Sequence, residues 1–194
     1  MSGKGLLLVH CDPESTLEEE FNAWYDTEHL PERAAIDGFE TALRFTSLGD
    51  GPRYLAIYDL ASLDILDTPD YLAVSGSNFS PWTKRVTARS RPVRLTARQV
   101  GTDAATEACT RLLLLQFAGT SEDAAAIGEG LGTSFGDQPA LIQSRLFEGA
   151  EPSPDFMIAI CCFAGLDVPP LDMRAFGPLA SRITLAATYR PYRR

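Results

Sequence analysis

Apolar and polar positions follow two rhythms along this chain, and the order of the rhythms repeats. Leu6-Leu-Leu-Val9 is a short unbroken apolar run closed by His10, Cys11, Asp12 and Pro13, and Leu112-Leu-Leu-Leu115 is another, followed by Gln116 and then Gly119. Apolar runs of this length bounded by turn residues predict strands buried on both faces. A helical period follows each run, over about 16–35 and 121–134, and then come pairs of strands joined by turns, at 39–48 and 53–60 and again at 140–148 and 155–164. A broken helical stretch at 63–86 and a helix at 172–182 lead into closing strands at 87–99 and 183–192. Each half thus predicts strand, helix, strand, strand, helix, strand.

The repeat extends to individual residues. Gly5 to Pro13 aligns with Arg111 to Gly119 at an offset of 106, and Arg44-Phe45 then parallels Arg145-Leu146. Gly51-Pro52-Arg-Tyr54 parallels Ser153-Pro154-Asp-Phe156, and Arg91-Pro92-Val-Arg94 parallels Arg190-Pro191-Tyr-Arg193. Ser80-Pro81-Trp82 and Gly177-Pro178-Leu179 both place proline at a first helical position, where its missing N–H costs nothing. Residues 99–110, rich in Gly, Thr, Asp and Ala, form the linker. The fold class is therefore α+β, two tandem ferredoxin-like βαββαβ units over 1–100 and 107–194, the second degenerate and a structural partner. Right-handed crossovers place both helices of a unit on one face of its antiparallel sheet. Since both faces of the first strand are apolar, helices cover one and the sheet of the other half covers the second.

Composition narrows the function. A chain of 194 residues with 45% hydrophobic positions has a real core, and a net charge of -9 with a pI near 4.7 argues against nucleic acid as a partner. The arginines from Arg85 to Arg98 and from Arg190 to Arg194 are local exceptions, explained by strands whose alternate residues point to solvent. Cys11, Cys109, Cys161 and Cys162 show neither a disulfide framework nor zinc spacing, and read as buried apolar residues in a reducing compartment. The apolar run at Leu6 is too short for a signal peptide, and no stretch approaches the roughly 20 apolar residues of a membrane helix, so the cytoplasm is the default and no membrane partner is expected. The sequence has no glycine-rich phosphate loop, HExxH or facial triad, so no metal and no cofactor is predicted.

Chemistry is concentrated in Phe21-Asn-Ala-Trp24-Tyr25-Asp26-Thr-Glu28-His29-Leu30-Pro31, which holds one of only two histidines. Helical spacing puts Tyr25 beneath His29 and Trp24 beneath Glu28, with Asp26 three positions from the imidazole. His29 then acts as acid and base, Asp26 or Glu28 orients it, and Phe21, Trp24 and Tyr25 offer flat apolar walls with a hydroxyl donor. The alternative makes Trp24 and Tyr25 core anchors and His29 a helix cap. His10 and its counterpart Gln116 place a polar side chain at the same point of an apolar strand, which needs a partner or a polar pocket end. With the helix antiparallel to the strand, His29 lies roughly 20 Å along it, so the two histidines reach a common cavity only from opposite ends. Arg44, with Arg145, either anchors an anionic substrate group or makes a surface ion pair. Tyr54 and Tyr58 share one strand face and line or fill the cavity. The second half has no counterpart of the cluster, so any site is single.

The aromatic-Trp24-Tyr25-Asp26-x-x-His29-Leu30-Pro31 pattern, followed by Asp37-Gly38-Phe39 opening a strand with Arg44-Phe45, resembles the EthD-like branch of the dimeric alpha/beta-barrel superfamily. The resemblance implies two antiparallel sheets packed face to face as an α/β barrel, here within one polypeptide, and a small hydrophobic or aromatic substrate whose pocket includes Phe39. The superfamily contains cyclases, isomerases, quinol-type monooxygenases and haem-handling enzymes, so the fold alone selects no reaction. Three functions follow in order: a cofactor-independent lyase, isomerase or cyclase using proton transfer at His29; an accessory protein that binds a hydrophobic metabolite; and a cofactor-free or haem-dependent oxygenase, haem requiring one axial histidine. A homodimer is left open.

Overall fold

The computed structural model describes residues 3–101 and 103–193; Met1, Ser2, Thr102 of the predicted linker and Arg194 of the basic tail lie outside the described residues. Eight strands close into one antiparallel barrel in the order β1-β3-β2-β8-β5-β7-β6-β4. They are β1 (Gly5–Cys11), β2 (Leu43–Ser47), β3 (Tyr54–Leu60) and β4 (Val93–Val100) in the first unit, and β5 (Arg111–Ala118), β6 (Leu141–Glu151), β7 (Phe156–Phe163) and β8 (Ile183–Pro191) in the second. Each unit keeps the ferredoxin-like order, and the two sheets join edge to edge where β2 pairs β8 and β4 pairs β6. Closure removes every sheet edge. Among the described residues, no helix is long and apolar enough to cross a membrane.

Alternation along each strand divides the core into three. Leu6 and Leu8, with Ile57, Leu112, Leu114 and Ile160, fill the barrel, as the two apolar faces of the first strand predict. Leu7 and Cys11 point outward, where the helices of the first unit cover them together with Phe21, Trp24, Tyr25 and Tyr58. The second unit does the same with α5 (Ala124–Phe135), which seals Leu113, Leu115 and Phe163 beneath Ile127 and Phe135.

The first helix runs as α1 (Glu18–Trp24), a π turn (Tyr25–His29) and α2 (Leu30–Ala34). Pro31 cannot donate to the preceding turn and its ring would strike the Thr27 carbonyl in an α-helix, and the widened turn just before it relieves both. Further along come α3 (Pro69–Ala73) and α4 (Pro81–Ser90). The closing strand expected at 87–99 starts only at Val93, because α4, capped by the Ser80 hydroxyl, continues to Ser90 and ends at Arg91 with φ 48°. The helix expected at 172–182 is a 3₁₀ segment, Met173–Arg182, broken at Gly177 with φ 51°.

The strand registers correct two of the repeat correspondences. Leu43 and Arg145 occupy equivalent places, since Leu43 opposes Ile57 and Arg145 opposes Ile160. Arg44 is thus one position away from Arg145, and a shift of one residue sends the two guanidiniums to opposite faces. In the closing strands Ala97 corresponds to Tyr189, each facing the equivalent residue of the first strand of its unit, so Arg98 and not Arg91 matches Arg190.

His10 and Gln116 do match. They point into the barrel from opposite walls, in line with Leu6 and Leu8 and with Leu112 and Leu114. His10 is 6% exposed, and neither of its ring nitrogens has a hydrogen-bond partner. Burial lowers its pKa to about 4, against a weaker opposing pull from Asp12. The folded state therefore holds the ring neutral while the unfolded chain takes up a proton near the ordinary value. This stability is fully present above about pH 6.5 and is lost as pH falls towards about 4. His10→Leu leaves no orphaned nitrogen and is expected to raise stability by about 1–3 kcal/mol at neutral pH. The gain widens between pH 7.5 and 5, measured as a urea midpoint at each pH; a midpoint unchanged at both would mean the ring has partners.

Candidate active site

Between the helices and the outer face of the first sheet lies a cavity of about 200 Å³. The strands contribute Leu7, Val9, Cys11, Tyr58 and Arg94, and the first helix contributes Trp24, Tyr25, His29 and Arg33. Tyr71 of α3 and Phe79, Thr87 and Ser90 on the other side complete the wall. The surface is aromatic and aliphatic, with a few polar groups.

His29 stacks on Trp24 with ring centroids 4.4 Å apart and meets Tyr25 edge-on at 5.2 Å. The stack on Trp24 spans five residues, a spacing that the π turn supplies in place of the four-residue stack on Tyr25 expected from an α-helix. The ring is held at a pKa of about 3, first by burial and then by the Arg33 and Arg44 cations. No carboxylate is among the groups acting on it, and its Nδ1 is buried without a partner.

The two predicted orienting carboxylates serve elsewhere. Asp26 pairs with Arg44 at 3.0 Å. Glu28 accepts hydrogen bonds from the Ser80 hydroxyl at 2.6 Å and the Thr83 hydroxyl at 2.8 Å, and Thr83 in turn accepts from Trp24 Nε1 at 2.9 Å. Glu28 therefore ties the first helix to the start of α4. The expectation that either carboxylate steadies an imidazolium at His29 is corrected by these pairings.

Arg44 is neither a surface ion pair nor open to the cavity. It is buried, bonded to Asn22 at 2.7 Å as well as to Asp26, and sandwiched between Tyr25 at 4.2 Å and Tyr192 at 4.0 Å. Tyr54 shares the outward face with Tyr58 as expected, but donates to Glu18 at 2.6 Å and lines a different groove. Phe21 is core beneath Tyr25 and Tyr54, and Phe39 packs behind the cavity on Tyr58 and Tyr71. His10 faces the barrel, whereas its neighbour Cys11 lines the cavity with His29. The sheet separates the two histidines, not the length of the helix, and they share no cavity.

Arg33, Tyr71, Cys11, Ser90 and Arg94 line the cavity although no motif marked them. Arg33 was within reach of sequence reasoning, one α-helical turn beyond His29 on the same face. Cys11 and Arg94 come from β1 and β4, Tyr71 from α3 and Ser90 from the end of α4, and only the packing of these elements brings them to one cavity.

Three polar atoms buried without partners belong to side chains of this one cavity: His29 Nδ1, a terminal nitrogen of Arg33 and the Ser90 hydroxyl; the Tyr58 hydroxyl, also on the wall, meets that of Tyr25. Buried polar groups are ordinarily paired, and their convergence on an apolar pocket is the mark of a ligand site. The Tyr25 and Tyr58 hydroxyls are held protonated, burial raising both well above the usual tyrosine value, and burial pushes the Cys11 thiol up to about 12.

Among the described residues, no group of three His, Cys, Asp or Glu side chains could hold a metal ion. Nor do the residues fit haem. The cavity that His29 lines is too small for a tetrapyrrole, and the larger grooves of about 690 and 490 Å³ have no histidine in their walls.

No family model matches the chain, and no curated protein matches it either. Solved structures do. An anthrone oxidase-like protein superposes with a TM-score of 0.69 at 13% identity, covering 100% of this chain and 92% of that one. The fold is that of the dimeric alpha/beta barrels. A mutant chlorite dismutase from Candidatus Nitrospira defluvii, in complex with cyanide, follows at TM-score 0.64 and 8% identity, covering 99% and 92%. A protein assigned by name to the monooxygenases, from Lactobacillus acidophilus NCFM, superposes at 0.60 and 11%, covering 98% and 94%. Each spans the tandem of units seen here. These likenesses show the fold alone, and the resemblance to the EthD-like branch rests on the motif of residues 21–31.

Proposed function

We propose that this protein is a cofactor-independent oxygenase-type enzyme acting on a small phenolic or enolisable aromatic molecule in the cavity of the first unit. The convergence of His29, Arg33 and Ser90 on that cavity carries the reading. The names of the barrels that superpose on the chain, anthrone oxidase-like, monooxygenase and chlorite dismutase, favour oxygen chemistry over the lyase, isomerase or cyclase reaction that the motif first suggested.

At about 200 Å³ the cavity lies below the roughly 300–1,000 Å³ of drug-sized sites, which favours a substrate of one or two rings. Trp24, Tyr25, Tyr58 and Tyr71 hold its faces. His29, neutral at physiological pH, accepts the substrate proton, and the anion so formed supplies the counter-charge that the buried imidazolium otherwise lacks. The electron-rich anion reduces dioxygen by one electron, the substrate radical and superoxide join in a C–O bond, and His29 returns the proton to the peroxide. O–O cleavage with loss of the remaining C–H proton gives a carbonyl and water. For a methylene the balance is CH2 + O2 → C=O + H2O, with the substrate as reductant and dioxygen as oxidant. Water exclusion by the aromatic walls protects the intermediates.

The test is oxygen uptake by the purified protein with one- and two-ring phenols and hydroxyaryl ketones, with product mass as a second readout. Uptake with one oxygen atom incorporated per turnover is expected. Saturable aromatic binding without uptake for any of them would make the protein a binder, and the enzymatic reading would fall.

A further inference from the structure

Arg33, Arg44 and Arg145 are the buried arginines among the described residues, and only two of them meet a carboxylate. Arg44 has Asp26 at 3.0 Å and Arg145 has Asp59 at 2.7 Å. Arg33 is 3% exposed and makes no ion pair among the described residues; its sequence neighbour Glu32 feels its charge but lies off the cavity wall. One terminal nitrogen donates to the Val74 carbonyl at 2.7 Å, the guanidinium lies 5.0 Å from the centre of the Tyr71 ring, and the other terminal nitrogen is unpartnered. A buried charge is costly unless something answers it.

Nothing else on the cavity wall can supply that negative charge. His29 is neutral, and Tyr25, Tyr58 and Cys11 are held in their protonated forms by burial. Arg94, the other cation of the wall, is answered by Glu151 at 2.7 Å. The unmet charge therefore sits where a ligand binds, one turn from His29.

We infer that Arg33 recognises the anion that proton transfer to His29 leaves on the substrate, a phenolate or the equivalent enolate of one or two rings, and so sets the specificity of this cavity. This rests on the reading of the helix–sheet cavity as the substrate site. Guanidinium donors suit an oxyanion, and the aromatic walls accept the ring that carries it.

4-Nitrophenol tests the inference directly, because its phenolate is yellow and its phenol is not. Titrated in the presence of saturating wild-type protein, its apparent pKa is expected to fall by roughly 1 to 3 pH units, as for an acid beside an opposite charge. An apolar cavity without anion recognition shifts it the other way. In Arg33→Met the fall is lost, and in Arg33→Lys, which keeps the charge, it is retained at least in part. An unshifted or raised pKa with the wild type, absence of saturable binding, or a fall that survives in folded Arg33→Met overturns the inference. The wild-type sign decides even if Arg33→Met does not fold. No turnover is read, so a lowered pKa together with absent oxygen uptake keeps Arg33 as an anion-recognition residue and removes only the oxygenase reading.

Discussion

Replacing His29 by alanine should lower oxygen uptake by about 10²–10⁴-fold, the usual contribution of a positioned proton acceptor, while the circular dichroism spectrum and thermal midpoint stay close to those of the wild type. The imidazole stacks on Trp24 and has an unpartnered Nδ1, so its removal opens space at the cavity without stranding a partner charge. The pH dependence discriminates further. Burial, then Arg33 and Arg44, hold His29 at about 3, so it remains a neutral acceptor throughout the range in which an ordinary histidine would titrate. The rate should therefore show no His29-dependent inflection near neutrality. Any inflection there belongs to the substrate and persists in the residual activity of His29→Ala. A neutral inflection present in the wild type and abolished in that variant would mean the ring is solvated and paired, contrary to the cavity described. Turnover unchanged in His29→Ala would remove His29 from the reaction altogether.

The largest loss of stability is expected from Asp59→Asn. Asp59 and Arg145 are each 2% exposed in their side chains and meet at 2.7 Å, one from each unit. The carboxylate also accepts from the Thr41 hydroxyl at 2.5 Å and the Thr106 N–H at 2.8 Å, and Arg145 donates to the Ala104 carbonyl at 2.8 Å and to the Thr106 hydroxyl. One ion pair thus fastens both sheets and the linker. Removing one partner of such a pair costs about 3–5 kcal/mol, because the other charge is left buried. For a chain of this size that is a fall of roughly 6–20 °C in Tm. Burial by itself would raise the Asp59 carboxyl, but Arg145, Thr41 and Thr106 together hold it below the usual range. A lowered folded pKa gives stability that is present above the unfolded value, near 3.9, and is lost as pH falls through the folded one. The gap between wild type and Asp59→Asn should therefore persist down to the ordinary carboxylate range and close only below it. The double change Asp59→Leu with Arg145→Met should recover much of the loss, since it leaves neither charge alone. A single change that costs under 1 kcal/mol by urea titration would sink this account.

Local pattern carried the architecture. The short apolar runs at Leu6 and Leu112 marked strands covered on both faces, and the repeat of element order announced two ferredoxin-like units that share one barrel. These features depend on which side chains are apolar and on periods of 2 and 3.6, both legible in a string of residues. The same string put Trp24, Tyr25 and His29 on one helix, and in the structure these three line a cavity with Tyr58.

Register and pairing lay beyond it. Identity between Arg44 and Arg145 suggested equivalent roles, yet one residue of offset puts one arginine under the first helix and the other against Asp59. Helical spacing offered Asp26 and Glu28 to His29, but both found stronger partners far away in sequence, Arg44 and the pair Ser80 and Thr83. The π turn before Pro31 then moved the imidazole onto Trp24.

By itself the sequence determined the order of the elements, the tandem fold and the helix on which the candidate chemistry sits, because each depends on residues near one another in the chain. Only the tertiary structure decided which charges cancel. Asp26, Glu28 and Asp59 are matched across 18 to 86 positions of sequence, and Arg33 is left unmatched at the cavity wall. Burial sets the energy of a charge and non-local packing chooses its partner, so neither can be read from spacing along the chain.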